Sequence, residues 1–153
     1  MCLATCATDQ AAETLSYDRP YLLDTIIISE PLRPQPARTV LERLKRHQGE
    51  LAIASIVWHE LWFGCRRLPP SARRTVIESY LLEVVGPSVS VLSYGAREAD
   101  WHALERARLT GKGLTPSFPD GQIASIAVTH ELTLVTFNSS DFRVFSDVQC
   151  LSW

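Results

Sequence analysis

Four carboxylates in this sequence stand apart from their surroundings and have the chemistry to bind a cation. The first, Asp24, interrupts an apolar run over residues 21–29 that Pro20 and Pro31 bracket. An ionised aspartate buried inside such a run is very costly unless it is paired. The cost is smallest at the carboxyl end of a strand, where the side chain faces a crevice. A turn or helix cap following a strand would explain Asp24 equally well.

Glu60 is the second candidate, because apolar residues surround it in a predicted helix. Its neighbours three and four residues away are all apolar or small: Ile56, Val57, Phe63 and Gly64. A glutamate on an apolar helix face needs a cation, a hydrogen bond or a raised pKa to offset the loss of water. The alternative is a side chain that extends into solvent or pairs with an arginine.

Asp120 and Asp141 complete the set. Asp120 follows Pro119 and opens a predicted helix, where capping and the helix dipole favour aspartate in any case. Asp141 comes just past a predicted strand end in a polar stretch, a common position for a turn or cap residue. Taken alone, each is explained more simply by local structure than by catalysis.

Taken together, the four carboxylates indicate a site. Each follows a predicted strand end or opens a predicted helix, and in a parallel sheet such positions lie at the carboxyl ends of the strands, where ligands bind. Four converging carboxylates repel one another unless a cation is present. Oxygen-rich clusters suit Mg²⁺ or Mn²⁺ rather than zinc. Such ions activate a water molecule and stabilise the leaving oxygen in phosphodiester cleavage.

The elements that must position these residues alternate between strand and helix. Apolar runs predict strands at residues 21–29, 51–54, 89–92, 132–136 and 148–151. Amphipathic patterns predict helices at residues 37–47, 56–67, 72–85, 96–110 and 121–130, with one helical turn at residues 142–145. Ser55 is expected to cap the helix that follows it, and Gly86-Pro87 to end the helix before it. The alternation predicts an α/β domain with a parallel sheet and right-handed crossovers.

Composition sets the outer limits of function. The chain has 153 residues, 46% of them hydrophobic, and a net charge of −2, so no global positive field indicates nucleic-acid binding. The basic residues cluster over residues 33–47 and 66–74, which is more typical of solvated helix faces than of phosphate contacts. The four cysteines form no paired metal-binding spacing and are interpreted as free thiols in a reducing cytoplasm. Residues 1–19 have no signal-peptide pattern, and no apolar run is long enough to span a membrane.

The sequence resembles a known family, the PIN-domain ribonucleases, and within it the VapC-like toxins of toxin–antitoxin pairs. Four segments in order carry the resemblance: Tyr-Leu-Leu-Asp-Thr at 21–25, Ser-Ile-Val-Trp-His-Glu-Leu-Trp-Phe-Gly at 55–64, Pro-Asp-Gly-Gln-Ile-Ala-Ser-Ile-Ala at 119–127 and Leu-Val-Thr-Phe-Asn-Ser-Ser-Asp-Phe at 134–142. Their order and approximate spacing cover nearly all of residues 21–151. No single segment is diagnostic; the order of the four is fairly specific.

The resemblance implies a three-layer α/β PIN-like fold, with a central, mostly parallel five-stranded sheet flanked by helices. It implies a PIN domain over residues 21–153. Residues 1–20, with weak periodicity and small polar residues, are interpreted as an N-terminal tail that has no counterpart in the family. The resemblance also implies a Mg²⁺- or Mn²⁺-dependent endoribonuclease, acting as a homodimeric toxin that a cognate antitoxin inhibits. The implied catalytic and metal-binding residues are Asp24, Glu60, Asp120 and Asp141, with Thr25, Thr136 and Asn138 beside them.

Two positions depart from the family pattern. Ile26 replaces a residue that is usually asparagine or serine, so a polar contact near the metal is missing. Phe137 stands where arginine is common, which removes a phosphate contact. Neither departure affects the four acids. The basic helix at residues 37–47 is expected to hold the RNA backbone, since an acidic pocket cannot.

Two other functions are compatible with parts of this pattern. A phosphatase or receiver domain would require a second aspartate close to Asp24, and residues 25–27 supply none. A catalytically degenerate PIN-like domain could act as an RNA- or protein-binding module. Loss of an acid would indicate such a module, and here all four acids are present; Ile26 is the only feature in its favour.

Overall fold

The computed structural model describes residues 20–153. The predicted tail over residues 1–20, except Pro20, and the thiols of Cys2 and Cys6 lie outside the described residues. Five strands form one sheet in the order β3-β2-β1-β4-β5, and every neighbouring pair is parallel. The strands are β1 (Tyr21–Leu23), β2 (Leu51–Ala54), β3 (Ser90–Leu92), β4 (Thr133–Val135) and β5 (Gln149–Leu151). The predicted five-stranded parallel sheet is confirmed.

Helices connect the strands. They are α1 (Thr25–Ser29), α2 (Arg38–Arg46), α3 (Ser55–Arg66), α4 (Ala72–Tyr80), α5 (Gly86–Ser88), α6 (Ala96–Gly111), α7 (Phe118–Thr129) and α8 (Ser139–Phe142). A 3₁₀ turn over Glu30–Leu32 follows α1, and a π-helical turn over Leu81–Val85 joins α4 to α5.

The strand order shows where the chain changes direction across the sheet. From β1 the chain moves outward through β2 to β3, and from β4 it moves outward the other way to β5. Right-handed crossovers in opposite directions place helices on opposite faces of the sheet. The reversal lies between β1 and β4, which pair directly. In open parallel sheets such a switch point is where a crevice forms and ligands bind.

The core is built around the three central strands. Every residue of β1, β2 and β4 is buried, as expected for strands covered by helices on both faces. Leu22, Ile53 and Leu134 have no exposed surface, and each contributes roughly 1.5 to 3 kcal/mol by leaving water. The outer strands β3 and β5 are partly exposed.

Several predicted element boundaries were wrong. Residues 26–28 are helical, because the chain turns into α1 directly after Asp24. Ser55 is the first residue of α3 rather than its cap, and the helical path continues through Gly86-Pro87 to Ser88. Helix α7 begins at Phe118, before Pro119, since proline is tolerated in the first turn of a helix. The single turn expected at residues 142–145 lies at Ser139–Phe142.

Candidate active site

Asp24 lies at the carboxyl end of β1 with both carboxylate oxygens hydrogen-bonded. Oδ1 accepts from the backbone N–H of Thr25 at 2.7 Å, which caps α1, and Oδ2 accepts from the Thr136 hydroxyl at 2.8 Å. Thr136 directly follows β4, so this second bond crosses the switch point of the sheet. Asp24 is therefore a helix cap, which was the alternative to a catalytic role. Its carboxylate is also hydrogen-bonded to Thr136, which follows the neighbouring strand.

A chain of hydrogen bonds leads from Asp24 to Asp141. The Thr136 hydroxyl, which donates to Asp24, accepts from the backbone N–H of Asn138 at 3.0 Å. The carbonyl of Asn138 in turn accepts from the backbone N–H of Asp141 at 3.1 Å. Because the hydroxyl has one proton, its roles as donor to Asp24 and acceptor from Asn138 are both fixed. The conformation of the segment after β4 is thus tied to the first acid.

Asp120 lies in the first turn of α7, but it does not cap that helix. The cap is Ser117, whose hydroxyl accepts from the backbone N–H of Asp120 at 3.2 Å. Helix α7 packs on the sheet, and its C-terminal end leads directly into the start of β4. The first turn of α7 therefore lies at the opposite end of the sheet, where the strands finish. The carboxylate of Asp120 is left available for a ligand.

Asp120 and Asp141 line the same cavity. It has a volume of about 340 Å³ and is bordered by the loop before α7 and by α8. The cavity wall is completed by Leu114, Thr115, Pro116, Ser117, Ser140 and Val144. Two acids from separate parts of the sequence therefore meet beside the switch point.

Glu60 does not lie on the buried face of α3. The buried stripe of this helix is Val57, Leu61 and Cys65, at spacings of four residues, and the Glu60 side chain is 50% exposed. Glu60 was expected on the covered apolar face of this helix, and that prediction was wrong. Nε2 of His59 lies 3.9 Å from Oε1 of Glu60, and within residues 20–153 no arginine pairs with Glu60 either.

The structure brings the four acids together only in part. Within residues 20–153, no group of three or more carboxylate, imidazole or thiol side chains lies close enough together to hold a metal ion. Asp120 and Asp141 share a cavity, Asp24 is connected to Asp141 through Thr136 and Asn138, and Glu60 lies outside this arrangement. The assignment of all four as metal ligands stays a prediction.

The electrostatic setting of the three connected acids favours a cation. Across the described part of the chain, Asp24, Asp120 and Asp141 make no salt bridge with a lysine, arginine or histidine. Asp24 uses one acceptor position on each oxygen and keeps a second lone pair on each. The donor set is entirely oxygen, which matches the preference of Mg²⁺ and Mn²⁺. The chemistry of these donors therefore suits a divalent ion, while their positions are not those of a formed metal-binding group.

Helix α6 supplies buried polar groups that the sequence analysis missed. Its buried face is Glu98, His102, Glu105 and Leu109, which follow the helical spacing of a core stripe. In the sequence, the spacing of these ionisable residues was the signal that could have identified the buried face of this helix. The Glu98 carboxylate accepts from the backbone N–H of Gly95 at 2.9 Å and from the Thr129 hydroxyl at 2.9 Å, and so joins the start of α6 to the end of α7.

Glu105 holds the segment that follows α8. It accepts two hydrogen bonds from the Arg108 guanidinium, both at 2.8 Å, and one from the backbone N–H of Ser146 at 2.8 Å. Arg108 also donates to the carbonyl of Val144 at 2.8 Å. The Arg108 hydrogen bonds, with that of Ser146, lower the pKa of Glu105 to about 2 despite its burial. This pair fixes the far side of the segment that carries Asp141.

The role expected for the basic helix α2, to hold the RNA backbone, stays a prediction. The C-terminal end of α2 lies beside the start of β1: the His47 and Tyr21 rings are 4.7 Å apart, and the backbone N–H of Tyr21 donates to the carbonyl of Glu50. Strand starts lie opposite the end of the sheet that carries Asp24.

The two departures from the family pattern, Ile26 and Phe137, are both about 40% exposed near the acids.

A doubly wound parallel sheet with carboxylates at its switch point defines the class of this protein as an α/β domain with an acidic site. The sequence model of the PIN domain family matches residues 21–148. The chain belongs to the PIN domain family. Within residues 20–153, no helix is both long and apolar enough to cross a membrane.

The chain is similar to several known members of this family. It is 32% identical over 127 residues to VapC ribonuclease Y4jK of Sinorhizobium fredii, covering 80% of this chain and 89% of that one. It is 32% identical over 124 residues to toxin FitB of Neisseria gonorrhoeae, covering 79% and 89%. The crystal structure of FitAcB from Neisseria gonorrhoeae superposes with a TM-score of 0.78 at 30% identity, covering 86% of this chain and 96% of that one.

Proposed function

We propose that this protein is a divalent-metal-dependent endoribonuclease that acts in the cytoplasm as the toxin of a toxin–antitoxin pair. The observation that carries the proposal is the hydrogen-bonded path from Asp24 through Thr136 and Asn138 to Asp141, next to a cavity that Asp141 shares with Asp120. The path joins Asp24 to Asp141, and the shared cavity adds Asp120 from a third part of the sequence.

The described residues have separate roles in this proposal. Asp24, Asp120 and Asp141 would hold Mg²⁺ or Mn²⁺, with Glu60 as a further ligand from α3. The side chains are not gathered into a ligand set, so we expect them to move when the ion binds. When bound, the ion supplies positive charge that activates water and stabilises the negative charge of a cleaved phosphodiester.

Thr136 positions Asp24 rather than touching the substrate. Its hydroxyl fixes one carboxylate oxygen, which leaves the remaining lone pairs of Asp24 in a defined direction. The backbone N–H of Thr25 fixes the other oxygen. Partners of this kind around a metal ligand contribute roughly 10- to 100-fold to metal affinity or activity.

The relatives support both RNA as the substrate and an antitoxin as the partner. The Sinorhizobium relative is named as a ribonuclease, and the Neisseria relative is named as a toxin. The cytoplasmic location agrees with the thiols of Cys65 and Cys150, which are both free.

The experiment is cleavage of a mixed pool of labelled RNA by the purified protein in Mg²⁺, Mn²⁺ and EDTA. We expect cleavage with either metal and none in EDTA. Asp24→Asn and Asp120→Asn should abolish cleavage, and Thr136→Val should reduce it by roughly 10- to 100-fold. Asp100→Asn, which changes an exposed aspartate on α6, is the matched control and should cleave normally. Full activity in EDTA, or in both active-site variants, would refute the proposal.

Glu60 tests whether the fourth acid takes part. Because its side chain is 50% exposed, Glu60→Gln should leave the thermal stability unchanged. We expect it to relieve the growth arrest caused by expression of the protein, as co-expression of a neighbouring antitoxin gene should also do. Unchanged toxicity of Glu60→Gln would remove Glu60 from the ligand set. A degenerate binding module would instead bind RNA without cleaving it under any metal condition.

A further inference from the structure

A second cavity lies on the other side of the first turn of α7. It has a volume of about 410 Å³ and no carboxylate in its lining. Its floor is a row of small side chains on α6, spaced by four residues: Ala99, Ala103 and Ala107. Its walls are aromatic, formed by Tyr94, His102 and Phe118, and Arg106 and Thr110 complete the lining. The proposed catalytic residues do not account for this cavity.

The aromatic walls are fixed in position. The Tyr94 hydroxyl lies 3.0 Å from Nδ1 of His102, and the His102 and Phe118 rings are 4.8 Å apart. Gly121 packs against His102 so closely that a Cβ at residue 121 would lie 1.9 Å from Nε2. Burial, with the nearby charge of Arg106, lowers the pKa of His102 and so disfavours its charged form. A rigid aromatic wall of this kind suits a planar ligand.

Phe118 and Arg106 form the part of the wall that is open to solvent. Phe118 is 49% exposed, although it is a large apolar residue, and the Arg106 guanidinium lies 5.5 Å from the centre of its ring. Within residues 20–153, Arg106 makes no salt bridge. An exposed aromatic face beside a cation without an acidic partner is the combination that binds single-stranded nucleic acid, through stacking and phosphate attraction.

The position of Phe118 relates this cavity to the acids. Phe118 and Asp120 both belong to the first turn of α7. Side chains two residues apart leave a helix on different sides, and Phe118 accordingly lines one cavity and Asp120 the other. The two cavities therefore flank the N-terminal end of α7, and an RNA strand that passes over this end would place neighbouring groups at both.

We propose that the cavity between Tyr94, Arg106 and Phe118 binds an unpaired base of the RNA substrate, in the nucleotide next to the cleaved phosphodiester, by stacking on Phe118. This inference rests on the proposed ribonuclease function and adds a base-binding subsite to it. A second copy of the chain could instead cover the cavity, since Leu104 on α6 is 72% exposed, but an uncompensated cation favours RNA over an apolar interface.

The test measures RNA binding separately from cleavage. The probe is a fluorescein-labelled single-stranded RNA decamer of mixed sequence, titrated in Mg²⁺ against the full chain carrying Asp24→Asn to prevent cleavage. On that background, Phe118→Leu should weaken binding by roughly 5- to 150-fold, the range for losing one stacked base. Phe118→Tyr keeps the aromatic face and should bind like the parent. Arg106→Gln should weaken binding and make it less sensitive to salt.

Phe63→Leu is the matched control. Phe63 is also exposed, at 55%, and also lies near an arginine, with the Arg67 guanidinium 6.0 Å from its ring centre, but it belongs to α3. We expect Phe63→Leu to bind RNA like the parent. Equal losses for the two leucine variants would refute a specific subsite at Phe118.

Base removal identifies the contact. An abasic substitution at one position of the decamer should weaken binding to the parent and abolish the difference between the parent and Phe118→Leu. If no abasic position does so, Phe118 does not stack a base and the inference fails.

Two further outcomes distinguish a failure of the base-binding subsite from a failure of the proposed ribonuclease function. If metal-dependent cleavage occurs but Phe118→Leu binds RNA normally and changes the oligomeric state, the cavity is an interface between copies and the subsite is refuted while the ribonuclease stands. If the protein neither cleaves nor binds RNA under any condition, both proposals fail.

Discussion

The ion pair of the buried Glu105 with the partly exposed Arg108 offers a quantitative test of the structure. Glu105→Gln keeps the shape of the side chain and removes its charge. A pKa lowered from 4.5 to about 2 corresponds to about 3 kcal/mol at neutral pH, at about 1.4 kcal/mol per unit. The Arg108 side chain is 33% exposed, so solvent screens the pair, and we expect a loss of about 1 to 2 kcal/mol in the free energy of unfolding.

The contribution of Glu105 to the free energy of unfolding should depend on pH. The Glu105 carboxyl titrates near 4.5 when unfolded and at about 2 when folded. Its contribution to stability is therefore complete above pH 4.5, declines as the pH falls, and is lost below about pH 2. Urea unfolding at a series of pH values should show the wild-type protein and Glu105→Gln converging over that window.

Glu42→Gln provides the control for the Glu105 measurement. Glu42 pairs with Arg38 at 2.8 Å, but those side chains are 57% and 90% exposed, so removing this charge should change stability by less than about 1 kcal/mol. An equal loss in both variants, or a loss in Glu105→Gln that does not shrink as the pH falls toward 2, would refute the assignment of Glu105 as a charged anchor.

Three further predictions concern packing and assembly. Gly121→Ala should destabilise the fold by about 1 to 3 kcal/mol in thermal or urea melts because its Cβ would overlap His102, whereas Gly64→Ala, with open space around it, should be neutral or stabilising. Burial raises the pKa of Tyr80 to about 12, so stability should fall more steeply between pH 10 and 12 in the wild-type protein than in Tyr80→Phe. Light scattering at micromolar concentration should show a homodimer that Val76→Glu weakens, because Val76 on α4 is 62% exposed; a wild-type monomer would contradict this prediction.

The sequence by itself was sufficient for the architecture. Alternating apolar runs and amphipathic segments predicted five strands and a parallel sheet, because strands buried on both faces lack polar alternation. Asp24 was placed correctly at the end of β1, since a carboxylate inside a covered strand is too costly. The resemblance also identified Thr136, whose hydroxyl contacts Asp24.

Local pattern failed where tertiary contacts choose between similar local structures. Ile26, Ile27 and Ile28 favour a strand by propensity, but they are helical because Asp24 caps α1 and the turn buries Ile27 and Ile28. Glu60 was misjudged for a related reason. Apolar neighbours at helical spacing do not reveal which side of the helix meets the sheet, and in α3 that side is Val57 and Leu61.

Only the tertiary structure decided which acids are connected, and how. The bond between Thr136 and Asp24 joins residues far apart in sequence, and it exists because β1 and β4 are paired at the switch point of the sheet. The cavity shared by Asp120 and Asp141 likewise depends on how α7 and α8 pack. Side-chain burial and hydrogen-bond geometry are set by neighbours from other elements, which the order of residues along the chain does not specify.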